Sequence, residues 1–246
     1  MRKSLVMGLL LAGVLSFNVN AISSIVIDGV PPEVVKSKIL DMFQRSRTNV
    51  MVENLSDNTS TYIFTSTMSY GMFNTETATI EDHVNFVHTP LENGTNLSIN
   101  ITRTITAIMG QTQTMPMNDT TAELEALHSI KAVLNGGYFF GFDVDTEKKN
   151  GGYVISDVEK DGAFDKAGIK AGDILIAVDN KKVKSDKKTN NINFSPDPLY
   201  QSTHTFTIIH NNVKKDHEIS SIFKTPEDID RSKAYKIKAP IPKKIR

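Results

Sequence analysis

The chain contains no cysteine. That excludes disulfides, thiolate catalysis, cysteine-ligated zinc and lipid attachment at an N-terminal cysteine. A secreted eukaryotic protein of 246 residues is normally cross-linked, so an exported chain without cysteine points to a bacterial envelope. An excess of charge is equally missing, because 28 basic residues face 28 acidic ones. A balanced chain offers no global field for nucleic acid. The apolar run from Leu5 to Val19 is also shorter than the about 20 residues that a membrane-crossing helix needs.

What is present at the N-terminus suits export. Arg2 and Lys3 precede that run, and Val19-Asn20-Ala21 places small residues at a cleavage site. The expectation is a signal peptide over residues 1–21, a mature chain from near Ile22, and a periplasmic location. Removing the signal leaves 26 basic residues against 28 acidic ones. Six Asn-x-Ser/Thr triplets, at Asn54, Asn58, Asn93, Asn96, Asn100 and Asn118, reflect a stretch rich in Asn and Thr rather than glycosylation.

Residues 22–135 read as an α+β domain, an antiparallel sheet with helices on one face. Ile25 to Ile27 suits a strand. Pro31-Pro32-Glu33 opens a helix whose Val35, Ile39, Met42 and Phe43 form one apolar stripe. Thr61 to Thr67 is β-branched and aromatic. Ile80, Val84 and Phe86 alternate with polar residues, as do Leu97, Ile99 and Ile101, and Glu92-Asn93-Gly94 joins them as a hairpin. Thr120 and Glu123 read as a capping box for a helix buried along Leu124, Leu127, Ile130 and Leu134, which Asn135-Gly136-Gly137 ends.

Residues 137–223 form a second unit. Tyr153 to Ile155 suit a strand, Ala163 to Ala167 a short helix ending at Gly168, and Gly172-Asp173 a turn into the strand Ile174 to Val178. Asp179-Asn180 turns again and Val183 returns to the core. The stretch 151–183 closely resembles the core of a PDZ domain of bacterial envelope proteins. The resemblance implies a small, partly open β-barrel with two helices. It also implies that a glycine-containing apolar loop cradles a peptide's terminal carboxylate on backbone N–H groups while the peptide adds as a strand. The matching positions are Tyr138, Phe139, Phe140, Gly141 and Phe142. Asp143, Asp145 and Glu147 follow at the spacing that puts them on one strand face, a solvated acidic edge favouring basic residues in a peptide.

The family's second helix falls in 184–202, where Asn190-Asn191, Pro196 and Pro198 argue against a regular helix. Thr205 to Ile209, the Asn211-Asn212 turn and Val213 to Ile219 then make a hairpin. From 224 to 246, eight Lys or Arg against three acids read as a basic, flexible tail.

Envelope PDZ domains are often joined to serine proteases, yet there is no Gly-x-Ser-x-Gly elbow and no Gly-Asn/Asp-Ser-Gly-Gly loop. His83 and His88 point to opposite faces of a strand, and His204 and His210 sit about 20 Å apart along one. No cofactor or metal is expected. The expectation is a non-catalytic exported protein whose PDZ-like domain captures a peptide or a protein C-terminus by β-strand addition. The alternative is a lipid or small apolar ligand held by the N-terminal domain, with the PDZ-like unit structural.

Overall fold

The computed structural model describes residues 23–45, 50–70, 76–107, 110–117, 119–186 and 191–231. The expected signal peptide, the start near Ile22, the Asn118 triplet and the tail from residue 232 lie outside them. Among the described residues, no helix is long and apolar enough to cross a membrane.

The first lobe runs β1 (Ser23–Asp28), α1 (Pro32–Arg45), β2 (Val50–Leu55), β3 (Thr59–Tyr70), β4 (Glu76–Leu91), β5 (Gly94–Thr106), β6 (Thr112–Pro116) and α2 (Thr120–Asn135). Its sheet is antiparallel in the order β1-β5-β4-β3-β2, with β6 on the far part of β5. β4 and β5 pair from Leu91↔Gly94 to Thr79↔Thr106, as their alternation demands. Gly94 has a φ of +129°, and a Cβ there would overlap the Ile27 carbonyl oxygen where β1 closes on the hairpin.

Both helices lie on one face. Val35, Ile39, Met42 and Phe43 of α1 and Leu127 and Ile130 of α2 pack on Tyr62, Phe64, Phe86, Leu97 and Ile99. The Phe43 ring sits 4.5 Å from Tyr62 and 5.3 Å from Phe64. Each such side chain contributes about 1.5–3 kcal/mol on burial.

Two details of α2 differ from the sequence pattern. Asp119, not Thr120, is the N-cap, and its carboxylate accepts from the Ala122 N–H at 3.1 Å. Glu123 therefore does not reach back. It is 4 % exposed and accepts from the Ser23 hydroxyl at 2.7 Å. Burial pushes its pKa up. Leu124 is exposed, and Ala126 and Val133 join Leu127 and Ile130 in the core instead.

The second lobe runs β7 (Gly137–Phe139), β8 (Phe142–Lys149), β9 (Gly152–Val158), α3 (Ala163–Lys166), β10 (Ile174–Val178), β11 (Lys181–Lys182), β12 (Ser185–Asp186), β13 (Asn191–Ile192), β14 (Thr203–His210), β15 (Val213–Ser220) and β16 (Ile222–Lys224). Its main sheet is an open path, β15-β14-β10-β9-β8, with β11 on β10. The expected barrel is thus a sheet with two ends, folded over Phe140, Phe164 and Phe206. Asp179-Asn180 and Asn211-Asn212 both adopt positive φ, as tight hairpin turns require.

Elements continue past the boundary expected at residue 224. Lys224 closes β16, which pairs with β7, and α4 (Pro226–Arg231) follows. Ile229 of α4 is 3 % exposed and belongs to the first lobe's core. An isolated apolar residue in a charged segment gives no periodic signal, so burial there depends on the partner surface.

Candidate functional site

The site begins where β7 hands over to β8. Phe139 packs against the first lobe's core, whereas Phe140 is buried in the second. The backbone between them is therefore held from both sides. Gly141 has a φ of +72°, and a Cβ on it would stand 2.8 Å from Glu159 Oε2. Conformation and space both require glycine here.

The carbonyls of this turn are used internally. Phe164 N–H donates to the Phe140 carbonyl at 3.2 Å, and Glu159 N–H donates to the Gly141 carbonyl at 2.8 Å. The N–H groups of Phe140 and Gly141 donate to nothing among the described residues. The Glu159–Gly141 bond fixes the alternation of the ladder, so the Phe142 N–H, opposite Val158, points away from β9. Consecutive N–H groups around a left-handed glycine are the arrangement that receives an anion or a carbonyl oxygen.

Beside it lies an ion pair. Lys224 Nζ stands 3.2 Å from Glu159 Oε1, and both side chains are largely buried. The same Glu159 carboxylate flanks Gly141, so Lys224 balances a negative charge next to the N–H cluster.

The opposite wall is an extended segment, not a helix, as the prolines implied. β12 and β13 form a small hairpin, closed by Asn193, which accepts from Lys184 N–H and donates back to its carbonyl. Phe194 then covers Phe140 at 5.6 Å and Phe206 at 5.3 Å between ring centroids. The segment is tied to the first lobe by His128 Nδ1 and Asp197 Oδ2 at 2.7 Å, and to β7 by Tyr138 N–H donating to the Pro198 carbonyl.

The seven expected residues divide accordingly. Phe140, Gly141 and Phe142 surround the N–H cluster, with Phe142 stacked on Phe164 at 4.0 Å. Tyr138 instead pairs with Phe223 across β7 and β16, their rings 5.5 Å apart, and Phe139 faces the other lobe. Asp143 is half-buried and accepts from the Val144 N–H, whereas Asp145 is exposed. The ladder slips between Val144 and Lys148, so the two-residue alternation that put Asp143, Asp145 and Glu147 on one face is broken. The Glu147 side chain lies outside the described residues.

Strand addition along β8 is obstructed as well. β13 comes within 8 Å of β8 between Cα atoms, whereas a strand inserted between two others needs about 9.6 Å.

Sequence reasoning missed Phe194, Lys224, Glu159 and His204. His204 Nδ1 lies 2.6 Å from Asp179 Oδ2, and its ring touches Phe194 and Phe140. The hydrogen bond from His204 is the main reason that the Asp179 carboxyl is held below the ordinary range. An isolated Phe194 amid Asn, Ser and Pro was the one local sign. Elsewhere Ser60 Oγ and His88 Nε2 lie 2.9 Å apart, but both residues are fully buried and no partner orients His88 Nδ1. Among the described residues, no cluster of His, Asp and Glu could hold a metal ion.

An open antiparallel sheet with a glycine turn presenting free N–H groups at its edge is a peptide-recognition architecture. Residues 139–220 match the family model described as PDZ domain, and this part of the chain is a PDZ domain. No curated protein matches the chain. Among solved structures, the chain is similar to the HtrA-type protease AlgW with a decapeptide, at 13 % identity and a TM-score of 0.32. That match covers 68 % of this chain and 55 % of AlgW. It is similar also to AlgW with a tripeptide, at 16 % identity and a TM-score of 0.32, covering 72 % of this chain and 65 % of that one. The chain thus spans less than two thirds of these relatives. At such values no residue role carries over. The expectation of a non-catalytic protein-binding chain is nevertheless corrected, because the solved structures it resembles are proteases. The PDZ domain supports a protein or peptide partner.

Proposed function

We propose that the PDZ domain binds the C-terminal end of a peptide or protein, seating its carboxylate on the N–H groups of Phe140, Gly141 and Phe142. One observation carries this reading: the Phe140 and Gly141 carbonyls are engaged inside the domain, while the N–H groups of the same two residues are left over among the described residues. Charge-assisted bonds to backbone N–H are among the stronger hydrogen bonds. Contact is confined to the last residues of the ligand, because β13 closes on β8. Affinity is modest, in the micromolar range of about −8 kcal/mol. The leader-like N-terminus and the absence of cysteine favour an exported location for this partner.

The test uses the full chain, since Ile229 and Phe139 tie the PDZ domain to the first lobe. Peptides with free and with amidated C-termini are titrated against the protein and against Gly141→Val. The free acids bind better to the native protein, and the substitution removes the difference. Equal binding of acid and amide by the native protein would overturn the reading.

A further inference from the structure

The PDZ domain carries an aromatic ring of its own where a ligand's last side chain would have to go. Phe194 lies half-buried over Phe140, in contact with His204 at 5.1 Å and Phe206 at 5.3 Å. Phe140 in turn meets Phe206 at 5.2 Å and His204 at 5.8 Å. Aromatic centroids at these separations are in van der Waals contact, so no further side chain fits among the four rings. Phe140 contributes both a ring to this group and the first N–H of the cluster.

Phe194 is also held there. Asn193 is bound to Lys184 in both directions, at 2.7 and 2.8 Å. On the other side, three and four residues on, Asp197 is bound to His128 and Pro198 to Tyr138. These anchors fix the backbone on both sides of Phe194, and turning the ring out would expose its buried face.

We infer that Phe194 is a specificity-determining residue, which restricts the ligand to chain ends whose last residue is small, glycine or alanine. Such an end reaches the N–H cluster without displacing the ring. A bulky apolar end does not, although the surrounding aromatics would otherwise favour one. This inference rests on the carboxylate reading given above.

The experiment compares otherwise identical peptides ending in Ala and in Leu, each as free acid and amide, on the native protein, Phe194→Ala and Phe194→Leu. The native protein prefers the Ala-ended acid by roughly tenfold or more, the scale on which pockets discriminate side-chain size. Phe194→Ala opens the seat and inverts the order, and the smaller change in Phe194→Leu, which keeps the aliphatic cover, narrows the gap. A native preference for the Leu-ended acid, or an unchanged order in both variants, would overturn the inference alone. Indifference of every protein to amidation would overturn the carboxylate reading and this inference with it.

Discussion

Phe139 and Phe140 are neighbours in the chain and belong to different cores, Phe139 against α1, α2 and their sheet, Phe140 against Phe164 and Phe206. The peptide bond between them is where the chain passes from one core to the other, and its N–H is the first of the cluster. The return connection is equally anchored, since β16 pairs with β7 and α4 inserts Ile229 into the first core. The Gly141 turn is thus positioned by both lobes.

The first prediction concerns that return anchor. Ile229→Ala removes a buried side chain from a core formed by residues almost a hundred positions earlier. It should destabilise the first lobe by about 2–4 kcal/mol, the usual cost of such a truncation. Urea unfolding followed through probes in residues 23–135 tests this. An unchanged midpoint would show that α4 does not belong to that core.

Lys224 and Glu159 set the charge beside the N–H cluster. Lys224→Met leaves the Glu159 carboxylate uncompensated next to a bound anion. Free-acid peptides should then bind about tenfold more weakly, consistent with about 1–2 kcal/mol between charges in a partly screened site. Glu159→Gln should strengthen the same peptides. Amidated peptides report on packing alone, and a matching change in their affinity would refute the electrostatic origin.

His88 gives a pH dependence with a definite sign. Burial, with Lys36 adding to it, lowers its pKa to about 4 from an ordinary 6.5. Between those values the unfolded chain binds a proton that the folded chain excludes, so stability is complete above pH 6.5 and falls as pH is lowered. The loss approaches about 3 kcal/mol near pH 4. Carboxylates titrate near the lower end too, so the measurement is the difference between the native protein and His88→Gln across pH 4–7.5. A native curve parallel to the variant's would contradict the assignment.

Arg103 and Asp82 face each other in register across β5 and β4, with Nε and Nη2 donating to the two carboxylate oxygens at 2.5 and 2.8 Å. Both residues are buried on the helix-facing side of the sheet. Arg103→Ala should cost about 3–5 kcal/mol by stranding the carboxylate, whereas an apolar replacement of both partners should be close to neutral. Denaturant unfolding of the single and double variants distinguishes this from a loss of packing, which the double variant would not restore.

The parts of the fold legible in the sequence are those fixed by nearby residues. The β4–β5 hairpin follows from two alternating runs and one Asn-Gly turn. The α1 stripe follows from a period of three and four, and Asp179-Asn180 and Asn211-Asn212 take the positive φ that their side chains tolerate. At the site, Gly141 and its aromatic neighbours were recognisable by type and order. Which N–H groups stay free was not, because that depends on Glu159 and Phe164 occupying the carbonyls.

The sequence by itself determined two sheet-bearing units, a glycine turn at the head of the second, and prolines that leave the described residues 191–202 without a regular helix. Tertiary structure alone decided that Glu123 turns inward to Ser23, that Phe194 covers Phe140, that Lys224 meets Glu159, and that Ile229 completes a distant core. The reason is physical. Periodicity and turn chemistry act between residues a few positions apart, whereas these contacts join residues about 54 to 200 positions apart, whose pairing has no signature until the chain has closed.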